Sequence, residues 1–259
     1  MENIILTKED KIATLSINRP KYKNALNGET YEEFGIAIED VKNDSDIRVL
    51  IITGEGESFC SGLDLNYAGS IKDLSKTEFM KTLKKLQNIF AFEQIDKPVI
   101  SAVKGYALGN GCDIVLASDF SIAAENAKFS MAYTNLGLIP DLGGTFRLPR
   151  LVGVNKAKEI ILTGESVDAN YAYEIGMINR VVPNDKLMEE TMAFAKKLAK
   201  RAPIALSLAK MAINNGLGVT LQSSLDNEVY MQNICLQSKD VIEAMMAFFE
   251  KREPNFTGN

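Results

Sequence analysis

Pro98-Val99-Ile100-Ser101-Ala102-Val103 runs into Gly105-Tyr106-Ala107-Leu108-Gly109-Asn110-Gly111, then Cys112-Asp113-Ile114-Val115-Leu116-Ala117-Ser118, then Phe120-Ser121-Ile122-Ala123. The first run is short and apolar, as in a strand buried on both faces. The glycines read as a turn, residues 112–118 as a helix, and Phe120 to Ala123 as a strand. A strand, a turn, a helix and a further strand in succession argue for an α/β arrangement.

The same alternation extends toward the N-terminus. Residues 3–8 and 12–18 read as strands, ended by Arg19-Pro20, and Asn24 to Gly28 is loop-like. Phe34, Ile38 and Val41 mark a helix, and Val49-Leu50-Ile51-Ile52-Thr53 another doubly buried strand. A helix is predicted over Thr77 to Phe92. After about residue 150 the pattern turns helical, with Asp168 as an N-cap, Gly176 as a stop, Pro203 in a first turn and Gly216 as a stop. Two more helical stretches cover about 219–236 and 239–252. The last carries Val241, Ile242, Met245, Met246, Phe248 and Phe249, an apolar face that either packs on its own subunit or forms an interface. Residues 1–200 are therefore expected to form an α/β core, and 201–259 a helical region.

Composition narrows the chemistry. The net charge of −5 carries no basic nucleic-acid footprint. No apolar run reaches the length of a membrane span, and Met1-Glu2-Asn3 opens no secretory signal, so the expectation is a cytoplasmic protein without membrane or nucleic-acid partners. The chain has no histidine, which removes Ser-His-Asp and Cys-His catalysis and His-containing zinc sites. Acid–base work must fall to Asp, Glu, Lys, Tyr or Cys. Cys60, Cys112 and Cys235 lie far apart, and fit neither a disulfide framework nor a metal motif.

Four segments carry the functional reading: Ser58-Phe59-Cys60-Ser61-Gly62-Leu63-Asp64-Leu65, Gly105 to Asp113, Leu136-Gly137-Leu138-Ile139-Pro140-Asp141-Leu142-Gly143-Gly144-Thr145, and Leu162-Thr163-Gly164. With Asn18-Arg19-Pro20, Asn24-Ala25-Leu26 and the ending Lys251-Arg252-Glu253-Pro254-Asn255-Phe256, their order and spacing closely resemble the enoyl-CoA hydratase/isomerase (crotonase) family over essentially the whole chain. The resemblance implies a crotonase-like spiral of ββα units followed by a C-terminal helical region, assembled as a homotrimer or a hexamer. It also implies an acyl-CoA substrate, with coenzyme A as part of that substrate and no separate cofactor or metal.

Physical chemistry supports the match. Removing a proton near a thioester carbonyl gives an enolate, whose oxygen needs preorganised donors. Ser61-Gly62-Leu63 can place one backbone N–H where only glycine allows close approach, and Gly109-Asn110-Gly111 can place another at a helix N-terminus. By resemblance the donors are the N–H groups of Leu63 and Asn110, although relatives usually carry a small residue at the second place. The family's hydratases resemble a two-glutamate machine, and here those places hold Asp113 and Tyr133. Tyrosine is a poor base at neutral pH. Asp113 divides between catalysis and support of a helix start, and Tyr133 reads as pocket wall rather than as a donor to Asp141 or Asp113.

Asp141 supplies a third carboxylate, in a segment that resembles the phenylacetate-degradation type of enoyl-CoA isomerase. There a single aspartate is understood to shuttle a proton between C2 and C4. Lys23, Ala25, Ser61, Asp64 and Leu65 lie around the CoA cleft by the same resemblance, with Gly109 and Tyr133 at the acyl end. The leading expectation is an isomerase with Asp141 as base. The alternatives are a hydratase using Asp113 and Asp141, and an acyl-CoA-binding or scaffold subunit without turnover.

Overall fold

In the computed structural model, which describes residues 1–259, the chain begins with a hairpin of β1 (Ile4–Glu9) and β2 (Ile12–Ile17). Asp10 and Lys11 both adopt positive φ, the turn whose twist matches antiparallel strands. Helix α1 (Gly28–Asn43) starts where Asn27 accepts the Thr30 N–H at 2.9 Å. Next come β3 (Val49–Gly54), α2 (Leu65–Lys72) and α3 (Lys76–Gln87), the last opened by a Ser75/Glu78 capping box. The chain continues through β4 (Val99–Val103), β5 (Tyr106–Leu108), α4 (Asn110–Ala117), β6 (Phe120–Ala124) and β7 (Lys128–Ser130). Then follow α5 (Gly144–Val152), α6 (Val154–Thr163), β8 (Ser166–Asp168), α7 (Ala169–Glu174), β9 (Arg180–Val182) and α8 (Leu187–Ala199). Helices α9 (Pro203–Gly216), α10 (Leu221–Gln237) and α11 (Lys239–Glu250) end it.

The strands form two sheets. The larger has the order β1-β2-β3-β4-β6-β9, parallel except for the first hairpin. The smaller has the order β5-β7-β8, and Cys60 extends it by a parallel bridge to Ala107. Successive turns of chain therefore add one strand to each sheet: β3 then Cys60, β4 then β5, β6 then β7, with helical chain between them. This is the spiral of ββα units that the resemblance implies, with helices after it.

The apolar runs are explained by the two faces of the large sheet. Leu50 and Ile52 of β3 join the main core with Val99 and Val103 of β4. Val49, Ile51, Ile100 and Ala102 face the other way, onto Leu187, Ala195 and Ala199 of α8. A strand covered on both sides has no reason to alternate.

Three local expectations change. The helix predicted over Thr77 to Phe92 ends as α3 at Gln87 and tightens to 3-10 geometry over Asn88–Gln94. There Ile89, Phe90 and Phe92 all turn into the core, and at three residues per turn Ile89 and Phe92 fall in line with each other. The glycine-rich turn at Gly105 to Gly111 contains β5, too short for an alternation signal. The helical pattern after 150 is interrupted by β8 and β9, three residues each.

In the last three helices the apolar face is exposed. Val229, Tyr230, Ile242, Met245, Phe248 and Phe249 are all open, Phe248 by 79%. Packing on the same chain, one of the two readings of that face, does not occur for these residues. No helix is long and apolar enough to cross a membrane.

Candidate active site

The two glycine segments are zipped together by backbone hydrogen bonds. The Cys60 N–H donates to Tyr106 O and the Leu108 N–H to Cys60 O, each at 2.9 Å. Gly62 at φ +96° needs its missing side chain, because a Cβ there falls 2.8 Å from Leu108 O. The same position lies 3.7 Å from Asn110 N, so the two turns face each other closely. Gly109 at φ +50° then turns the chain into α4, with its N–H bonded to Ser130 O at 2.8 Å. Neither the Leu63 nor the Asn110 N–H donates within the chain. Asn110 is the first residue of α4, where free N–H groups and the helix dipole favour a negative charge.

Residues 23–26 run alongside 61–64. The Ser61 N–H donates to Lys23 O at 3.0 Å, Leu26 N–H to Gly62 O at 2.8 Å, and Asp64 N–H to Leu26 O at 3.0 Å. Lys23, Ala25, Ser61, Asp64 and Leu65 are thereby brought to one edge. Lys23 is exposed, its Nζ 4.8 Å from the Tyr106 ring centre, and Leu65 is exposed as well. Asp64 is occupied differently. Its Oδ1 accepts the Asn66 and Tyr67 N–H groups to cap α2, and its Oδ2 pairs with Arg19 at 3.0 Å. Arg19 also donates to Ala25 O. Buried Asn24 ties the same loop down, donating to Glu55 O at 2.9 Å and Ser58 O at 2.7 Å.

Asp113 lies in the first turn of α4 and is fully buried. Its Oδ2 is 2.5 Å from the Tyr133 hydroxyl, which is also 2.9 Å from Asn110 Oδ1. Its Oδ1 has no partner and lies 2.6 Å from where a Gly144 Cβ would sit. Burial pushes the Asp113 pKa up to about 7, against the lowering effects of the Tyr133 hydrogen bond and the Arg147 charge, while Asp141 raises it. Tyr133 is raised far out of the neutral range, first by burial and then by the Asp113 charge. The expectation that Tyr133 is wall rather than donor is thus corrected: it is nearly buried, and its hydroxyl caps Asp113.

Asp141 is half-buried, and burial raises its carboxyl above the usual range. Its loop passes Asp113: a Cβ at Gly144 would fall 2.6 Å from Asp113 Oδ1 and 3.2 Å from Pro140 Cβ, the residue before Asp141. Its loop is held from two sides. Gln87 Nε2 donates to Asp141 O at 2.8 Å, and Arg147 Nη1 to Leu142 O at 2.7 Å. Arg147 is itself gripped by Glu93, at 2.9 and 2.6 Å. Cys60 is no rival nucleophile, because burial pushes its thiol up to about 12.

Sequence reasoning missed Tyr31, Asn24, Arg147 and the side-chain role of Asn110. Tyr31 lies on α1 and bonds the Asn110 side chain across a long sequence separation, which no local pattern encodes. Arg19 and Asn24 fall in quoted motifs, but their side-chain partners are visible only in three dimensions.

The chain matches the family described as Enoyl-CoA hydratase/isomerase over residues 7–259. It is 40% identical to crotonyl-CoA hydratase of Syntrophomonas wolfei over 98% of both chains. It is 38% identical to 1,2-epoxyphenylacetyl-CoA isomerase of Escherichia coli, over 100% of this chain and 99% of that one. The crystal structure of enoyl-CoA hydratase from Bacillus anthracis superposes with a TM-score of 0.94 at 37% identity, covering 99% of this chain and 100% of that one.

Proposed function

Since this chain belongs to the enoyl-CoA hydratase/isomerase family, whose members act on CoA thioesters, we propose that it moves a double bond next to an acyl-CoA thioester with Asp141 as the single base. The Asp141 carboxylate takes a proton from C2 of a 3-enoyl-CoA. The resulting charge collects on the thioester oxygen, between the N–H groups of Leu63 and Asn110. Asp141 then returns the proton at C4, leaving the 2-enoyl-CoA. A carboxyl raised by burial is suited to both directions of that transfer.

The observation that carries this reading is the contrast between the two aspartates. Asp113 is fully buried with one oxygen capped by Tyr133, whereas Asp141 is half-exposed on the loop that passes Asp113. The first is poorly placed to touch a substrate or water, and the second is free to. At the other end of the substrate, Lys23, Ala25, Ser61 and Leu65 would line the CoA portion, with Asp64 holding their loops in place. Coenzyme A arrives as part of the substrate.

We further infer that residues 1–200 work as the catalytic core and residues 201–259 assemble the oligomer, a trimer or paired trimers. What supports this is the exposed apolar face of α10 and α11.

The test is product analysis with 3-enoyl-CoA and with 2-enoyl-CoA. The expected result is migration of the double bond, lost in Asp141→Asn and retained in part in Asp113→Asn. Rapid formation of 3-hydroxyacyl-CoA that needs both aspartates would replace this reading with a hydratase. Acyl-CoA binding without any turnover would leave only a binding subunit.

A further inference from the structure

Asn110 stands where a small residue is expected, yet the oxyanion donor at this position is a backbone group and needs no side chain. The asparagine side chain is nevertheless built into the structure. Asn110 is 5% exposed, with its amide bonded at one end to the Tyr31 hydroxyl and at the other to the Tyr133 hydroxyl at 2.9 Å. Tyr31 is 5% exposed and projects from α1, whose first turn is fixed by the Asn27 cap. Tyr133 continues to Asp113, three residues further along the helix that Asn110 starts. The first turn of α4 is therefore tied at Asn110 and at Asp113 by one tyrosine, and to α1 by another.

We propose that Tyr31 is a positioning residue for the reaction, and that the buried chain Tyr31–Asn110–Tyr133–Asp113 is a clamp aiming the Asn110 N–H at the thioester oxygen. This rests on the proposed function, since it assigns the clamp to that oxyanion donor. The physical case is one of register. The N–H of a first helical residue has no intrahelical partner to hold it. A donor that stabilises developing charge must already point at it before the reaction. Hydrogen bonds from the side chain of the same residue to two rigid phenols remove the freedom that a small residue would leave to the turn.

Proton counting shows that the clamp holds whichever way Asp113 is charged. Tyr133 has one hydroxyl proton, so it donates either to Asp113 or to Asn110. With Asp113 ionised, Tyr133 donates to it, and the Asn110 amide donates to Tyr133 and accepts from Tyr31. With Asp113 protonated, every bond reverses: Asp113 donates to Tyr133, Tyr133 to Asn110 Oδ1, and Asn110 Nδ2 to Tyr31. Half a turn of the Asn110 amide interconverts the two sets, and both leave it held at both ends.

The experiment uses the full chain with an acyl-CoA carrying ¹³C at the thioester carbonyl, and measures the bound carbonyl stretch by difference infrared spectroscopy beside steady-state kinetics. In the wild type the stretch moves to lower frequency on binding. In Tyr31→Phe, and separately in Asn110→Ala, which keeps the backbone N–H, that shift shrinks. There kcat falls about 10-fold with KM within about 2-fold, less than the about 100-fold that outright loss of an oxyanion donor costs. The defect is the same at pH 6 and pH 8, whereas Asp141→Asn abolishes turnover and keeps the carbonyl shift. Wild-type shift and kcat in both clamp variants would overturn the clamp and leave the function standing. A wild-type carbonyl that does not shift would overturn the proposed oxyanion hole itself, and the clamp with it.

Discussion

Replacing Gly111 by alanine asks whether the two turns are as close as the site requires. A Cβ at Gly111 falls 2.3 Å from Cys60 O and 2.8 Å from Cys60 Cβ, whereas ordinary contact begins at 3.4 Å. The turns must therefore separate by about 1 Å. Cys60 O cannot swing aside, because it accepts the Leu108 N–H at 2.9 Å. Gly111 does not have positive φ, so the backbone itself accepts alanine. Helix propensity favours alanine by about 1 kcal/mol, and overpacking opposes it by about 1–3 kcal/mol. The net loss of stability is then at most about 2 kcal/mol. Activity should suffer more, because displacing a donor by about 1 Å costs on the order of 100-fold, or about 2.7 kcal/mol of barrier. Urea unfolding and kcat/KM with a 3-enoyl-CoA measure the two separately. A variant more stable than the wild type, with activity within about 3-fold of it, would refute the packing on which the oxyanion geometry depends.

Other consequences follow from the same structure. Folded Asp113 keeps its proton to about pH 7, while the unfolded chain releases it near about pH 4, so the stabilising contribution is full below about pH 4 and is lost as the pH rises through about 7. The raised carboxyl of Asp141 acts in the same direction, and Asp113→Asn should flatten the fall in urea midpoint between about pH 4 and 7. Glu93→Gln weakens the two-point grip on Arg147 and should cost about 1–3 kcal/mol by thermal or urea unfolding, with a larger fractional loss of kcat because Arg147 holds the Asp141 loop. Phe248→Glu with Phe249→Glu places charge on the exposed C-terminal face; sedimentation should show a smaller species than the wild type, and an unchanged oligomer would move the interface elsewhere.

The features legible in the sequence share one property: each is written in a local pattern. Val49 to Ile52 reads as doubly buried because four apolar residues follow one another, and Asp168 and Pro203 read as helix starts because those positions favour such residues. The glycines at 62, 109 and 111 announce close approach, and the chain then zips at those places. Three-residue strands such as β5 and β8 carry no period to detect, so the second sheet stays hidden. The clamp stays hidden for a different reason. Tyr31 and Asn110 are 79 residues apart, and their contact depends on how α1 lies against α4. Tyr133 misleads by chemistry. A tyrosine in place of an acid reads as wall, whereas burial beside Asp113 makes its hydroxyl a hydrogen-bond partner.

The most direct test of the one-base reading follows the proton itself. A 3-enoyl-CoA deuterated at C2 is converted in a single turnover in ordinary water, and the product is located by mass spectrometry and NMR. Transfer by Asp141 alone predicts 2-enoyl-CoA with part of the deuterium recovered at C4, the rest being lost by exchange from the half-exposed carboxyl. Product with only solvent hydrogen at C4, or 3-hydroxyacyl-CoA in its place, would contradict it.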